Sequence, residues 1–263
     1  MPASRSGVLS FRWHNVVGIW IRQALAFKRS WVVESTAVVV EPVIVLGAIG
    51  FGLGRFVGDF EEGVSFAEFV APGIIAGNAM FHAIFEGSWG VYRRMETHRI
   101  YDAILTAPVA MRELVAGEMV WGATRALMTG VAVTAFAAAL GLIDSPWAIG
   151  IVVAAVLTGL VFSGIGLIFA AITPSQHALV LVFTLVSTPM FFFSGAFFPI
   201  DTLPDWIEPL AWALPLTEGV HLARGLTTGN MGVTQLYSVL YMTGLIAVFY
   251  PLAIVLLRRR LLK

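Results

Sequence analysis

Cysteine is absent from all 263 positions, which removes disulfide frameworks, Cys-ligated zinc and thiol chemistry. Lysine is nearly as scarce, occurring only as Lys28 and Lys263. A Walker-type phosphate loop needs a lysine after a glycine-rich turn to reach the β- and γ-phosphates, and neither lysine follows such a turn. The chain therefore carries no P-loop ATPase site of its own. Charge of either sign is thin: 12 % of residues are Asp, Glu, Lys or Arg, against 58 % apolar, and the formal net charge is zero. Soluble domains hold about a quarter charged residues, so this composition excludes an ordinary soluble enzyme, and its apolar content excludes a disordered chain. The balanced charge offers nothing to recruit nucleic acid. His-Glu-x-x-His is missing, and the five histidines (His14, His82, His98, His177 and His221) are scattered. Ser163-Gly164 and Ser194-Gly195 lack a recognisable base nearby and read as helix-packing pairs. No catalytic residue and no metal site is expected.

What is present is long apolar runs. A hydrocarbon core of ~30 Å takes roughly 20 apolar residues per helix, and six segments qualify: Thr36–Val57, Phe69–Tyr92, Leu114–Leu142, Trp147–Thr173, Ala178–Phe198 and Leu236–Leu257. Turn chemistry separates them at Asp59-Phe60-Glu61-Glu62-Gly63, Asp144-Ser145-Pro146 and Thr173-Pro174-Ser175. The expected fold is an all-α integral membrane domain of six spans over residues 36–257. Residues 1–35 form a cytoplasmic N-terminal segment and 258–263 a basic tail.

Cytoplasmic loops retain Arg and Lys. Arg5, Arg12, Arg22, Lys28 and Arg29, then Arg93, Arg94, Arg99 and Arg112, then Arg258, Arg259, Arg260 and Lys263 make thirteen of the sixteen basic residues, all on one side of the six-span topology. Asp59, Glu61, Glu62, Asp144, Asp201, Asp205 and Glu208 fall on the other. Both termini are therefore expected in the cytoplasm. No cleavable signal peptide is read in the first thirty residues. Within residues 11–31, Val17, Trp20, Ala24, Phe27 and Trp31 share one helical face, with Asn15, Arg22 and Arg29 nearly opposite. That pattern suits an amphipathic helix lying in the headgroup plane.

Three further groups carry functional weight. Asn78, His82 and Glu86 recur every four residues in the second span. Glu118 and Arg125, seven apart, share a face of the third, and Glu41 precedes Pro42 in the first. At ~1.5 Å rise per residue the three glutamates lie in the cytoplasmic third of the bilayer, where unpaired charge costs several kcal/mol. They read either as a polar substrate lining or proton relay, or as a structural cluster in which Arg125 reaches Glu86 or Glu41. The connection from Tyr92 to Arg112 interleaves Arg99 and Asp102 with Ile100, Tyr101, Ile104 and Leu105, a short amphipathic helix suited to a groove on another subunit or to the bilayer surface. Finally, in the stretch from Met190 to Gly225, Phe193, Phe197 and Phe198 lead into Pro-punctuated sequence with Trp206 and Trp212, which reads as short helices dipping into the outer leaflet or as an inert outer plug.

Taken together, Glu41-Pro42, Phe51-Gly52-Leu53-Gly54, Phe85-Glu86 before Arg93–Thr106, and Gly117-Glu118 with Trp121 resemble the ABC-2 permease family. The most specific piece is Thr188-Pro189-Met190 running through Phe193-Ser194-Gly195-Ala196-Phe197-Phe198-Pro199 to Asp201-Thr202-Leu203-Pro204. Leu214-Pro215-Leu216 and Leu256-Leu257-Arg258-Arg259-Arg260-Leu261-Leu262-Lys263 complete the likeness, which is nearest to the nodulation-factor (lipo-oligosaccharide) exporter permeases. The resemblance implies a half-transporter of the bacterial inner membrane that pairs with a second copy of itself and with two copies of a separate ABC ATPase subunit, which binds ATP and Mg. Residues 93–108 then correspond to the coupling helix, with Arg99, Ile100, Tyr101, Asp102 and Leu105 at the ATPase, and 199–225 to re-entrant external helices. The cargo implied is a glycolipid or lipo-oligosaccharide among membrane lipids, with drug or other-lipid export as the alternative. A proton-coupled carrier using His82, Glu86, Glu118 and Arg125, and a membrane scaffold for an ATPase, are the competing readings outside the family.

Overall fold

The computed structural model describes residues 11–57, 59–61, 64–143 and 145–261. Of the charges used above for orientation, Arg5, Glu62, Asp144 and Lys263 lie outside the described residues. Five helices are long and apolar enough to cross a membrane: α2 (Phe66–Thr97), α4 (Met111–Ala139), α5 (Pro146–Ile172), α6 (Gln176–Phe193) and α9 (Val233–Leu261). A further candidate is the bent pair Trp13–Val32 and Glu34–Gly50, which meet at 82° and count as one more span if taken together; its α-helical part is α1 (Trp13–Val45). Between spans lie α3 (Ile100–Thr106), α7 (Glu208–Trp212) and α8 (Pro215–Thr228).

Start signals follow the sequence. Ser65 caps α2 by accepting from the Glu68 N–H while the Glu68 carboxylate accepts from the Ser65 N–H, a reciprocal pair that satisfies two donors left over at the helix start. Ser145 does the same work for the Trp147 N–H, with Pro146 at the first position of α5. The acidic stretch expected as a plain turn between the first two spans instead holds a small antiparallel pair, β1 (Asp59–Glu61) with β2 (Val64–Ser65).

Helix α5 is the centre of the bundle, and small residues let its neighbours close on it. A side chain on Gly166 meets the Gly87 carbonyl carbon and the Ile84 oxygen at 2.8 Å, and one on Gly159 meets the Ala123 Cα at 2.5 Å. In lipid, where apolar burial does not drive association, such backbone approach supplies the dispersion energy. At the α3 end, Arg260 of α9 caps α5: its guanidinium donates to the Ala170, Ala171 and Thr173 oxygens at 2.7, 3.2 and 2.6 Å and to Glu96 at 3.0 Å. It also lies 5.3 Å over the Tyr92 ring. Arginine suits a helix C-terminus because it satisfies carbonyls that have no partner in the helix.

The first arm of α1 differs from its sequence reading in which face meets the protein. Val16, Ile19 and Gln23 are buried. Trp20 donates to the Thr124 hydroxyl at 2.9 Å, and Phe27 sits edge-on to Trp121 at 6.0 Å. Asn15 and Arg22, expected towards water, turn to carboxylates of α4 instead: Asn15 donates to Glu113 at 2.6 Å, and Arg22 lies 3.8 Å from Glu118. Trp13, Val17, Ile21, Leu25 and Trp31 stay exposed and form the apolar outer face.

Gly166→Val forces α2 away from α5, with an expected loss of ~1–3 kcal/mol from overpacking and a lower melting temperature in detergent. Gly244→Ala, at a position with nothing within 4 Å, leaves the melting temperature unchanged or slightly raised.

Candidate transport site

The intramembrane charges converge, but around Arg94, a base that the sequence pattern assigns to the cytoplasmic connection. Arg94 donates to Glu86 through Nη1 and to Glu118 through Nη2, both at 2.7 Å. Its side chain is 9 % exposed and that of Glu118 only 1 %. Two π-helical turns, Glu86–Gly90 and Arg93–Thr97, carry α2 past the pair, and such turns concentrate at functional positions. Gly90 leaves the space between them: a Cβ there stands 2.5 Å from Glu86 Oε1 and 3.1 Å from Arg94 Nη1. Glu118 also accepts two bonds of 2.9 Å from the Gln23 amide.

Arg125, expected to reach Glu86 or Glu41, pairs instead with Glu34 at 3.1 Å and lies 4.7 Å over the Phe27 ring. Glu34 opens the second arm of α1, and Glu41, about two turns further along that arm, lines the same cavity as Arg125. Asn78 and His82 engage their own helix, the first donating to the Ile74 oxygen at 2.9 Å and the second holding Nδ1 at 3.0 Å from the Asn78 oxygen.

A cavity of about 780 Å³ opens here, lined by Glu34, Glu41, His82, Glu86, Arg94 and Arg125 together with the aromatic rings of Phe27, Phe85, Trp89, Trp121 and Phe183. Trp89 stacks on Phe85 at 5.5 Å and 24°, and Phe183 of α6 closes on Trp89 at 5.6 Å. Charged groups and aromatic faces in one lining make an amphipathic chamber, able to hold a polar head and an apolar body together. Among the described residues no group of three His, Asp or Glu is placed to hold a metal ion.

Helix α3 hangs below this chamber. Arg99, in the left-handed region at φ 47°, reverses the chain from α2 into α3. An L-residue there costs about 1–2 kcal/mol, and such strain collects at functional elements. Arg99 and Asp102 are exposed, and Ile100 and Leu105 are half-buried. Tyr101 corrects the expectation of an outward patch. It is fully buried, beside Arg94 and Glu118, and burial together with the Glu118 carboxylate pushes its phenol well above the ordinary value. It stays uncharged and faces the cluster, so it offers no surface to another subunit.

At the opposite end the aromatic residues divide. Phe197 packs edge-on against Phe191 at 5.0 Å and stacks on Phe192 at 5.4 Å. Phe198 is half-buried, while Phe193, Trp206 and Trp212 are exposed. The re-entrant segment is more enclosed than its sequence suggests, because α8 buries Leu216, Thr217, Glu218, Val220, Leu222 and Ala223 against the spans.

Five or six candidate spans, four of whose helices (α1, α2, α4 and α6) enclose a charged chamber, with a short amphipathic helix at one end and proline-broken helices at the other, define a multi-pass transport subunit. The ABC-2 type transporter profile matches residues 14–228, and the chain belongs to that family. It is 35 % identical over 249 residues to Nodulation protein J of Rhizobium leguminosarum bv. trifolii, covering 95 % of each. Over 271 residues it is 32 % identical to Nodulation protein J of Bradyrhizobium diazoefficiens, covering all of both. Inner membrane transport permease YadH of Escherichia coli is 26 % identical over 227 residues, with 85 % of each chain covered. The protein is thus the permease of an ABC-2 exporter, a transport subunit whose family leaves ATP binding to a separate ATPase subunit.

Arg94→Met strands two buried carboxylates and is expected to cost ~3–5 kcal/mol, read as a large fall in the detergent melting temperature. Adding Glu86→Gln and Glu118→Gln to Arg94→Met removes the stranded charge and restores most of that loss.

Proposed function

We propose that this permease moves an amphiphile with a saccharide head, a lipo-oligosaccharide or related glycolipid, across the bacterial inner membrane towards the outer leaflet. The chamber beside α3 carries the reading, since its charged side chains and its Phe85, Trp89 and Phe183 rings offer contacts to both halves of such a molecule. Likeness to Nodulation protein J along nearly the whole chain supports the same cargo class.

In this reading the α3 end, where Arg93, Arg99, Arg112, Arg258 and Arg259 gather, faces the cytoplasm together with both termini. Residues 1–35 are the cytoplasmic segment that carries the interfacial helix (11–31), 36–257 the transmembrane domain with the coupling element at 93–108 and the re-entrant helices at 199–225, and 258–263 the basic tail. Two copies of the chain enclose the pathway, and two copies of an ABC ATPase, charged with ATP and Mg, seat on α3. ATPase closure pushes on Arg99, Ile100, Asp102 and Leu105. Tyr101 then passes the displacement inward to Arg94 and Glu118, and so to Glu86 on the chamber wall. Such coupling requires the ATPase to contact two permease conformations differently. Phe193, Phe197, Phe198, Trp206 and Trp212 receive the lipid at the far side.

With the permease and its ATPase reconstituted in vesicles, a lipo-oligosaccharide is expected to stimulate ATP hydrolysis. The combination Arg99→Ala, Asp102→Ala and Leu105→Ala abolishes that stimulation without lowering the melting temperature of the permease. Wild-type stimulation in the triple variant removes the coupling assignment, and transport driven by a pH gradient without any ATPase removes the exporter mechanism.

A further inference from the structure

At the end opposite α3, a second hollow of about 1040 Å³ opens between the start of α2, the turn joining α4 to α5, and helix α8. It lies at the upper end of the range for small-molecule sites, ~300–1,000 Å³. Two indoles stand on its walls: Trp147 in the first turn of α5 is 58 % exposed, and Trp212 at the end of α7 is 44 % exposed. Exposed tryptophan at a concave polar surface presents a flat apolar face with a negative quadrupole.

The groups around the indoles select against an ionic ligand. Glu68 and Asp201 share the hollow with Arg224 and His221, so no excess of one sign is available. Glu68 is engaged by the Ser65 N–H at 2.8 Å. The Arg224 guanidinium donates to the Gly195 oxygen at 2.8 Å and lies 4.2 Å over the Phe69 ring. His221 holds Nδ1 at 3.2 Å from the Ser238 hydroxyl, which donates to buried Glu218 at 2.6 Å. A phosphate meets two carboxylates here, and a quaternary ammonium meets a guanidinium. A neutral polyol meets neither penalty. Its hydroxyls donate and accept alike, matching amides at Asn230 and Gln235 beside carboxylates at Glu68 and Asp201. The C–H faces of a pyranose ring carry slight positive charge and suit the indole faces.

We infer that this hollow is an outward binding site for the neutral saccharide part of the transported amphiphile, seated on Trp147 and Trp212. The inference rests on the function proposed above and adds where the head group is held after it has crossed.

The test uses the permease–ATPase complex in nanodiscs, titrated calorimetrically with a soluble neutral tetrasaccharide, and with phosphocholine and inorganic phosphate as contrasts. Saturable tetrasaccharide binding is expected, weakened about tenfold by Trp147→Ala, the loss of one aromatic contact, and largely retained by Trp147→Phe. Absence of tetrasaccharide binding, the same affinity in Trp147→Ala, or preferential binding of phosphocholine or phosphate overturns the site. Glycolipid-stimulated ATP hydrolysis, measured on the same nanodiscs, separates the two readings. Stimulation without tetrasaccharide binding overturns this site and leaves the proposed cargo standing. Binding without stimulation supports the site and overturns the proposed cargo.

Discussion

One guanidinium held between two carboxylates organises the α3 end of this protein. Arg94 meets Glu86 and Glu118 at 2.7 Å each, at a depth where any of the three left alone carries a desolvation penalty of several kcal/mol. The partners come from separate elements. Glu86 and Arg94 belong to α2 and Glu118 to α4, while Gln23 from α1 and Tyr101 from α3 complete the surroundings. The need to keep these charges paired therefore fixes four elements relative to one another, a constraint that non-directional packing in lipid does not impose.

Two kinds of contact overlap in the bundle. Small residues bring helices into backbone contact, as at Gly159 on Ala123 and Gly166 on Gly87, and rigidity follows from dense dispersion contacts. Around the chamber, polar and directional contacts are added, and α2 and α6 give up regular α geometry. The π turns at Glu86–Gly90, Arg93–Thr97 and Phe183–Ser187 all border it. Gly87 lies inside the first of these turns, so one face of that turn packs on α5 while Glu86 beside it lines the chamber.

Much of this was legible in the residues. The second to fourth and sixth spans were readable because apolar runs end at Ser, Pro and Asp, and the helix ends observed differ by a few residues. The fifth stops at Phe193 rather than Phe198, where a Gly195 φ of 75° turns the chain. Glu86, Glu118 and Arg125 were identifiable as charges that must be accounted for, but their pairing was not. Arg94 looked like a loop residue because an α-helical count takes no account of two π turns and a glycine gap. Tyr101 looked like part of an outward patch because periodicity gives a face without saying which side is covered. Glu34 rather than Glu41 is the partner of Arg125, and no local signal in the sequence of α1 distinguishes the two. The hollow beside Trp147 joins residues from β2 to α9, a long-range assembly that sequence spacing does not encode.

The Arg260 contacts bear on which parts of the permease travel together. By binding three carbonyls at the end of α5 and Glu96 at the end of α2, the guanidinium clamps α2, α5 and α9 into one slab at the α3 end. Helix α6 has no comparable clamp among the described residues, and Val180, Leu181 and Leu185 on it are exposed. In the function proposed above, a stroke arriving through α3 therefore meets α2, α5 and α9 as one block, and the contact of Phe183 with Trp89 is the seam where that block adjoins a helix left outside the clamp.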